Sequence, residues 1–160
     1  MSFQKAHQIS NELGEVVVTS LEVDLNTTAT VPLAVPAPYK NYRVLELGFV
    51  VSEAGAIAET TALRFKCGVP ADDNCFIDTI SALTIAASPL GLRFNTNKDF
   101  DFRDAPSVPA VAGDSARVDL DGVPFLSAGD VIKFVISTGA GISTQAVFYA
   151  RLAPNIEYKG

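Results

Sequence analysis

The sequence predicts an all-β chain: an antiparallel β-sandwich, jelly-roll-like, of eight or nine strands, preceded by a short N-terminal arm. Three observations predict it. Val, Ile and Thr make up 37 of the 160 residues, the β-branched usage of strands. Apolar and polar residues alternate at period two through most of the chain after Gly14, and no amphipathic helical stripe stands out there. The 11 Gly and 9 Pro fall between short apolar runs, as turn residues do, and are too few for a disordered or collagen-like composition. At this length one domain is the default, which places an arm at residues 1–14 and a sandwich domain at residues 15–160.

Residues 1–14 are polar and hold the one histidine, His7. They fit a short helix over 4–13, and equally an arm that orders against a partner. Alternation starts at Glu15, with Val17, Leu21, Val23 and Leu25 expected on one face and Ser20, Glu22 and Asp24 on the other. Asn26-Thr27-Thr28 turns the chain. Residues 30–35 form a strand that Pro32 confines to a sheet edge, because proline donates no ladder hydrogen bond. Pro36-Ala37-Pro38 is a stiff loop. Residues 42–51 are apolar on both faces, with Leu45, Leu47, Phe49 and Val51 opposite Val44, Glu46 and Val50, so a central strand is expected.

Residues 61–67 alternate, with Leu63, Phe65 and Cys67 inward and Arg64 and Lys66 outward. Gly68 to Asn74 carries turn chemistry and is expected to be a loop. Residues 75–85 fit both a helical stripe and a strand, and strand is the choice taken here. A short strand follows at 90–94, a long loop at 95–113, a strand at 116–120 and a tight turn at Asp121-Gly122. Residues 131–137 put Ile132, Phe134 and Ile136 on one face. Gly139-Ala140-Gly141 turns the chain into 144–152, where Ala146, Phe148, Ala150 and Leu152 align.

Chemistry is sparse, and the sequence is read as that of a non-enzyme with no cofactor and no catalytic or metal site. A Ser-His-Asp or Cys-His arrangement would have to recruit His7 from the arm, whereas catalytic groups need fixed geometry. Three acidic clusters lie in or near expected loops: Asp72-Asp73-Asn74, Asp99 with Asp101 and Asp104, and Asp119 with Asp121. Each reads first as a solvated loop and second as a calcium site, since hard oxygen ligands suit that ion. Paired carboxylates also serve glycosidases, but there is no Trp and there are only 4 Tyr to line a sugar groove. Cys67 and Cys75 sit among apolar residues and read as buried thiols, with a disulfide across the intervening turn and a two-cysteine metal site as the other readings.

Arg93, Lys98 and Arg103 interleave with Phe94, Phe100 and Phe102, a pattern that supports single-strand nucleic-acid binding elsewhere. The aspartates of the same stretch oppose it, as does a formal charge of -6 from 18 acids and 12 bases, so no nucleic-acid partner is expected. No apolar run reaches the roughly 18 residues of a membrane span, and no targeting signal opens the chain, so production in a cytosol is expected. Only 19% of residues are charged, against about 25% in an ordinary soluble domain, and mean hydropathy is +0.26. Too little polar material to coat a monomer points to a symmetric homo-oligomer.

Two stretches carry a resemblance. Leu126-Ser127-Ala128-Gly129-Asp130-Val131-Ile132-Lys133-Phe134 resembles the turn-and-strand signature of jelly-roll modules. Tyr42 to Val51 with Thr60 to Phe65, taken with Phe148-Tyr149-Ala150-Arg151-Leu152, is similar to β-sandwich virion proteins of tailed bacteriophages. The resemblance spans residues 40–152 and is nearest to capsid decoration (cement) and head-fibre proteins. It implies a homotrimer on the virion, assembled in the host cytoplasm. There it would bind the major capsid protein and bridge capsomers, with residues 1–14 as a reaching arm. The family has no catalytic motif to transfer. The competing reading is a fibre or surface module that recognises a receptor or a carbohydrate, with Tyr39, Tyr42 and Phe102 as the aromatics near loops.

Overall fold

In the computed structural model, residues 15–35, 41–53, 63–77, 90–99, 102, 125–127, 130–139 and 144–154 are described, and they form nine strands and no helix. These are β1 (Val16–Asp24), β2 (Ala29–Ala34), β3 (Asn41–Val51), β4 (Arg64–Val69), β5 (Asp72–Ile77), β6 (Arg93–Asn95), β7 (Phe125–Ser127), β8 (Val131–Thr138) and β9 (Gln145–Pro154). One sheet has the order β1-β9-β3-β6, with β7 also on β3; the other has the order β2-β8-β4-β5. Every pairing is antiparallel.

The pairs β1–β9, β2–β8, β3–β6 and β4–β5 are the arms of one long hairpin. Its tip is the turn at Pro70-Ala71, and the two sheets arise by rolling it up. That is the jelly-roll arrangement the sequence predicts. The strand β7 is an addition: it lies against Asn41–Arg43, beside the stretch of β3 that β6 occupies at Gly48–Val50.

Four phenylalanines weld the sheets together. Phe49 and Phe148 belong to the first sheet, Phe65 and Phe134 to the second, and all four are fully buried. Phe148 lies 4.8 Å from Phe134, 5.4 Å from Phe49 and 6.2 Å from Phe65 between ring centroids, distances at which aromatic pairs attract. Around them pack Val44, Leu47, Val51, Leu63, Cys67, Ile132, Ile136, Ala146, Ala150 and Leu152. The inward faces expected for 63–67, 131–137 and 144–152 are therefore the observed ones. Pro32 sits in an edge strand, as expected: among the described residues β2 is bonded only to β8.

Two expected faces need correction, and bulges explain both. Between Thr19 and Glu22, β1 carries two residues, Ser20 and Leu21, opposite Phe148 of β9. The extra residue reverses the parity. Val23 and Leu25 stay inward, but Val17 is 58% and Leu21 89% exposed, and Val16 and Val18 take the core side. The Ser20 hydroxyl mends the broken ladder, accepting the Phe148 amide at 3.0 Å and donating to the Leu21 carbonyl at 2.6 Å. In β3 the register slips between Val44 and Glu46, so Leu45 is the extra residue and not an inward one.

The expected loop from Gly68 to Asn74 is also corrected. Residues 68–69 complete β4, and Asp72 to Asn74 begin β5, leaving a two-residue turn between them. The stretch read as a strand over 75–85 is one through Ile77, and 78–85 lie outside the described residues. The short strand expected at 90–94 runs from Arg93 to Asn95. The strand and turn expected at 116–122 and the arm at 1–14 also lie outside the described residues.

Candidate functional site

The outward face of the first sheet can be mapped from register alone. Along β3 the bulge turns Glu46, Gly48, Val50 and Ser52 outward. Across β9, Arg151 faces Glu46, Tyr149 faces Gly48 and Val147 faces Val50. On β6, Asn95 lies beside Gly48 and Arg93 beside Val50, while β1 brings Val17 next to Arg151 and Thr19 next to Tyr149. Val17, Thr19, Glu46, Val50, Ser52, Arg93, Val147, Tyr149 and Arg151 line a groove of about 290 Å³.

Gly48 makes the groove what it is. Tyr149 stands on β9, yet its ring lies under the Arg93 guanidinium of β6, 5.4 Å from it, and Asn95 of β6 hydrogen-bonds to its side chain. Reaching β6 means crossing β3, which is feasible because the residue in between has no side chain. The Tyr149 hydroxyl donates to Glu46 Oε1, and Arg151 Nη1 lies 3.5 Å from Glu46 Oε2. Glu15 Oε2 lies 3.5 Å from Arg151 Nε at the rim.

Glu46 is only 3% exposed, although it is on the outward face of a sheet. A buried carboxylate is tolerable only when hydrogen-bonded and paired, and both its oxygens are engaged. Burial, and then the hydrogen bond to Glu46, push the Tyr149 phenol well above the usual tyrosine range, while Asn95 and Arg93 pull the other way. The phenol is therefore a fixed neutral donor, and this neutral state contributes stability in full below the unfolded-chain tyrosine pKa of about 10. That contribution is lost as pH climbs above this value, because the unfolded chain then releases a proton that the folded chain retains. Accordingly, Tyr149→Phe is expected to lose about 1–3 kcal/mol at pH 7 by stripping a hydrogen bond from a buried carboxylate. Its stability should also fall less steeply than that of the wild type between pH 10 and pH 12, as urea titrations at several pH values would read. Equal slopes in the two proteins would contradict the assignment.

Most of the candidates read from the sequence lie elsewhere. Asp73 forms a 2.9 Å ion pair with Lys66 on the β4–β5 hairpin. Asp99 closes a turn, its Oδ2 accepting the Asn95 amide at 2.9 Å, with Lys98 at 3.6 Å. Among the described residues no three His, Cys, Asp or Glu side chains gather around a metal-sized space. Cys67 and Cys75 are buried thiols outside any disulfide, and burial, with Cys75 nearby, raises the Cys67 thiol. Phe94 is buried in the core against Phe49 and offers no stacking face, and Phe102 is partly buried against the core. Tyr42 is a strand residue, 2% exposed. His7, Tyr39, Phe100, Asp101, Arg103, Asp104, Asp119 and Asp121 lie outside the described residues.

Only Arg93 was singled out from sequence, and for a different partner. Glu46 and Tyr149 could have been flagged as polar groups within apolar strands, but their convergence required the order β9-β3-β6. Among the described residues no helix is long and apolar enough to cross a membrane. No protein family, curated protein or solved structure matches this chain.

Proposed function

We propose that this chain is a structural protein of a bacteriophage virion, a homo-oligomeric jelly-roll module that decorates and stabilises the capsid. The observation that carries the proposal is the β1–β2 margin of the sandwich. There Leu21 is 89% exposed, beside a hollow of about 420 Å³ that Ser20, Glu22, Ala29, Thr30 and Pro32 also line. A large apolar side chain presented on a sheet edge is apt for burial against a second copy. The same edge is guarded against open-ended strand addition, by the bulge in β1 and by Pro32 in β2. Such an edge suits a closed side-chain interface. Jelly rolls serve in viral capsids, which supports the reading at the level of fold analogy.

A module that binds the assembled shell and not the free subunit would stabilise the shell by mass action. Light scattering at micromolar concentration is expected to give three times the 16.9 kDa of one chain. Leu21→Glu is expected to shift it towards one, with thermal unfolding of the subunit little changed. The wild-type protein is expected to co-sediment with expanded empty capsids. A 16.9 kDa species alone, with no capsid binding, would refute the proposal. The second reading, a surface module recognising a receptor or carbohydrate, is favoured by the groove on the first sheet, since jelly rolls also serve as lectin domains.

A further inference from the structure

The groove on the first sheet has a chemical bias that its shape alone does not convey. Its negative charge is spent internally: Glu46 is held by Tyr149 and Arg151. Its donors are not. Arg93 lies on the Tyr149 ring, and among the described residues no carboxylate pairs with it. Ser52 Oγ is shielded from solvent, with no hydrogen-bond partner among the described residues. Arg151 Nε is likewise buried without a hydrogen bond, its nearest carboxylate being Glu15 at 3.5 Å. Between these donors Val17, Val50 and Val147 present apolar surface, and Val50 is the cross-strand neighbour of both Arg93 and Val147.

We propose that this groove binds a small organic carboxylate. Its carboxylate would pair with the Arg93 guanidinium, its body would lie on Val50 and Val147, and an acceptor would reach Ser52 Oγ. Guanidinium and carboxylate match in geometry, so the exposed Arg93 side chain can take the acid through two parallel hydrogen bonds, with the apolar walls beside it receiving the body. The groove of about 290 Å³ limits the body to roughly one ring. The shared chemistry is an acid on a compact ring, and two sources supply it: an acidic sugar and a free aromatic or aliphatic acid. The inference goes beyond the assembly role and does not depend on it.

The test is amide chemical-shift titration of the full chain with sodium glucuronate, sodium benzoate and glucose. Saturable shifts at millimolar concentration, centred on Val50, Ser52, Arg93 and Val147, are expected from at least one acid and not from glucose. A response to glucuronate alone identifies the sugar source, and one to benzoate alone the apolar acid. Arg93→Gln is expected to weaken binding at least tenfold. Lys98→Gln, which removes an exposed cation at the turn after β6, should leave binding unchanged and so control for general charge attraction. No shifts from either acid, an equal response to glucose, shifts centred away from the groove, or an equal loss in Lys98→Gln would each overturn the proposal. The titration reads binding at the groove whatever the oligomeric state, so its failure leaves the capsid reading standing.

Discussion

Phe148→Ala is expected to lower the stability of the chain by about 3–5 kcal/mol, the range for emptying a phenylalanine site in a packed core. The ring is at the meeting point of the sheets, against Phe49 of β3, Phe65 of β4 and Phe134 of β8. Three rigid neighbours on three different strands cannot close on the vacancy together, so the cavity term is retained in addition to the lost transfer energy. Against a total stability of roughly 5–15 kcal/mol this is a large fraction. Urea denaturation reads it directly. Leu21→Ala, at an exposed position, is the comparison and should fall within about 0.5 kcal/mol of wild type when measured on the monomer. A Phe148→Ala loss under about 1 kcal/mol would mean that the four rings do not form the centre of the core.

Gly48→Ala is expected to be destabilising by about 1–3 kcal/mol or more, although it adds one methyl group. A Cβ at this position would overlap the Phe94 carbonyl oxygen and lie 2.9 Å from Asn95 Cβ. The nearer obstacle is backbone, so the strand itself must move. That strand is β6, which is three residues long and faces β3 only from Gly48 to Val50. Displacing it disturbs both faces of the sheet: Phe94 leaves its stacked position on Phe49, 5.0 Å away, and Arg93 and Asn95 withdraw from Tyr149. Loss of hydrogen-exchange protection should therefore concentrate at Val51 and Thr96, whose amides bond to Leu92 and Leu47 across this junction. Gly91→Ala is the informative contrast. Its φ of +81° lies in the left-handed region but open space surrounds it, so only the conformational penalty of about 1–2 kcal/mol applies and the groove stays intact. Similar protection patterns in both variants would rule out the steric account.

The parts of the fold that period two governs were legible. Phe65, Phe134 and Phe148 could be placed inward from alternation alone, and Pro32 marked an edge because it lacks an amide proton. The misplaced side chains share one cause. Ser20-Leu21 and Leu45 each insert one residue, and nothing local in their side chains announces it, because a bulge is a property of the pairing. Asp72-Asp73-Asn74 has turn-forming chemistry, but the sharper Pro70-Ala71 turn just before it took that role and left the acids on a strand. The candidate site was almost illegible for a related reason. Arg93, Glu46 and Tyr149 are far apart in sequence and meet only through two strand pairings. The residue that admits the tyrosine, Gly48, contributes by having no side chain.

The rolled hairpin also sets an expected order of events during synthesis. Among the described residues β1 has β9 as its sole ladder partner, and β2 has β8, so the first two strands emerge from the ribosome long before those partners exist. The turn at Pro70-Ala71, by contrast, lets β4 and β5 pair within a few residues of each other. Nucleation is therefore expected at the tip, with closure proceeding outward towards the two ends. The capture of β1 by β9, across more than a hundred residues of intervening chain, is expected to be the slow step.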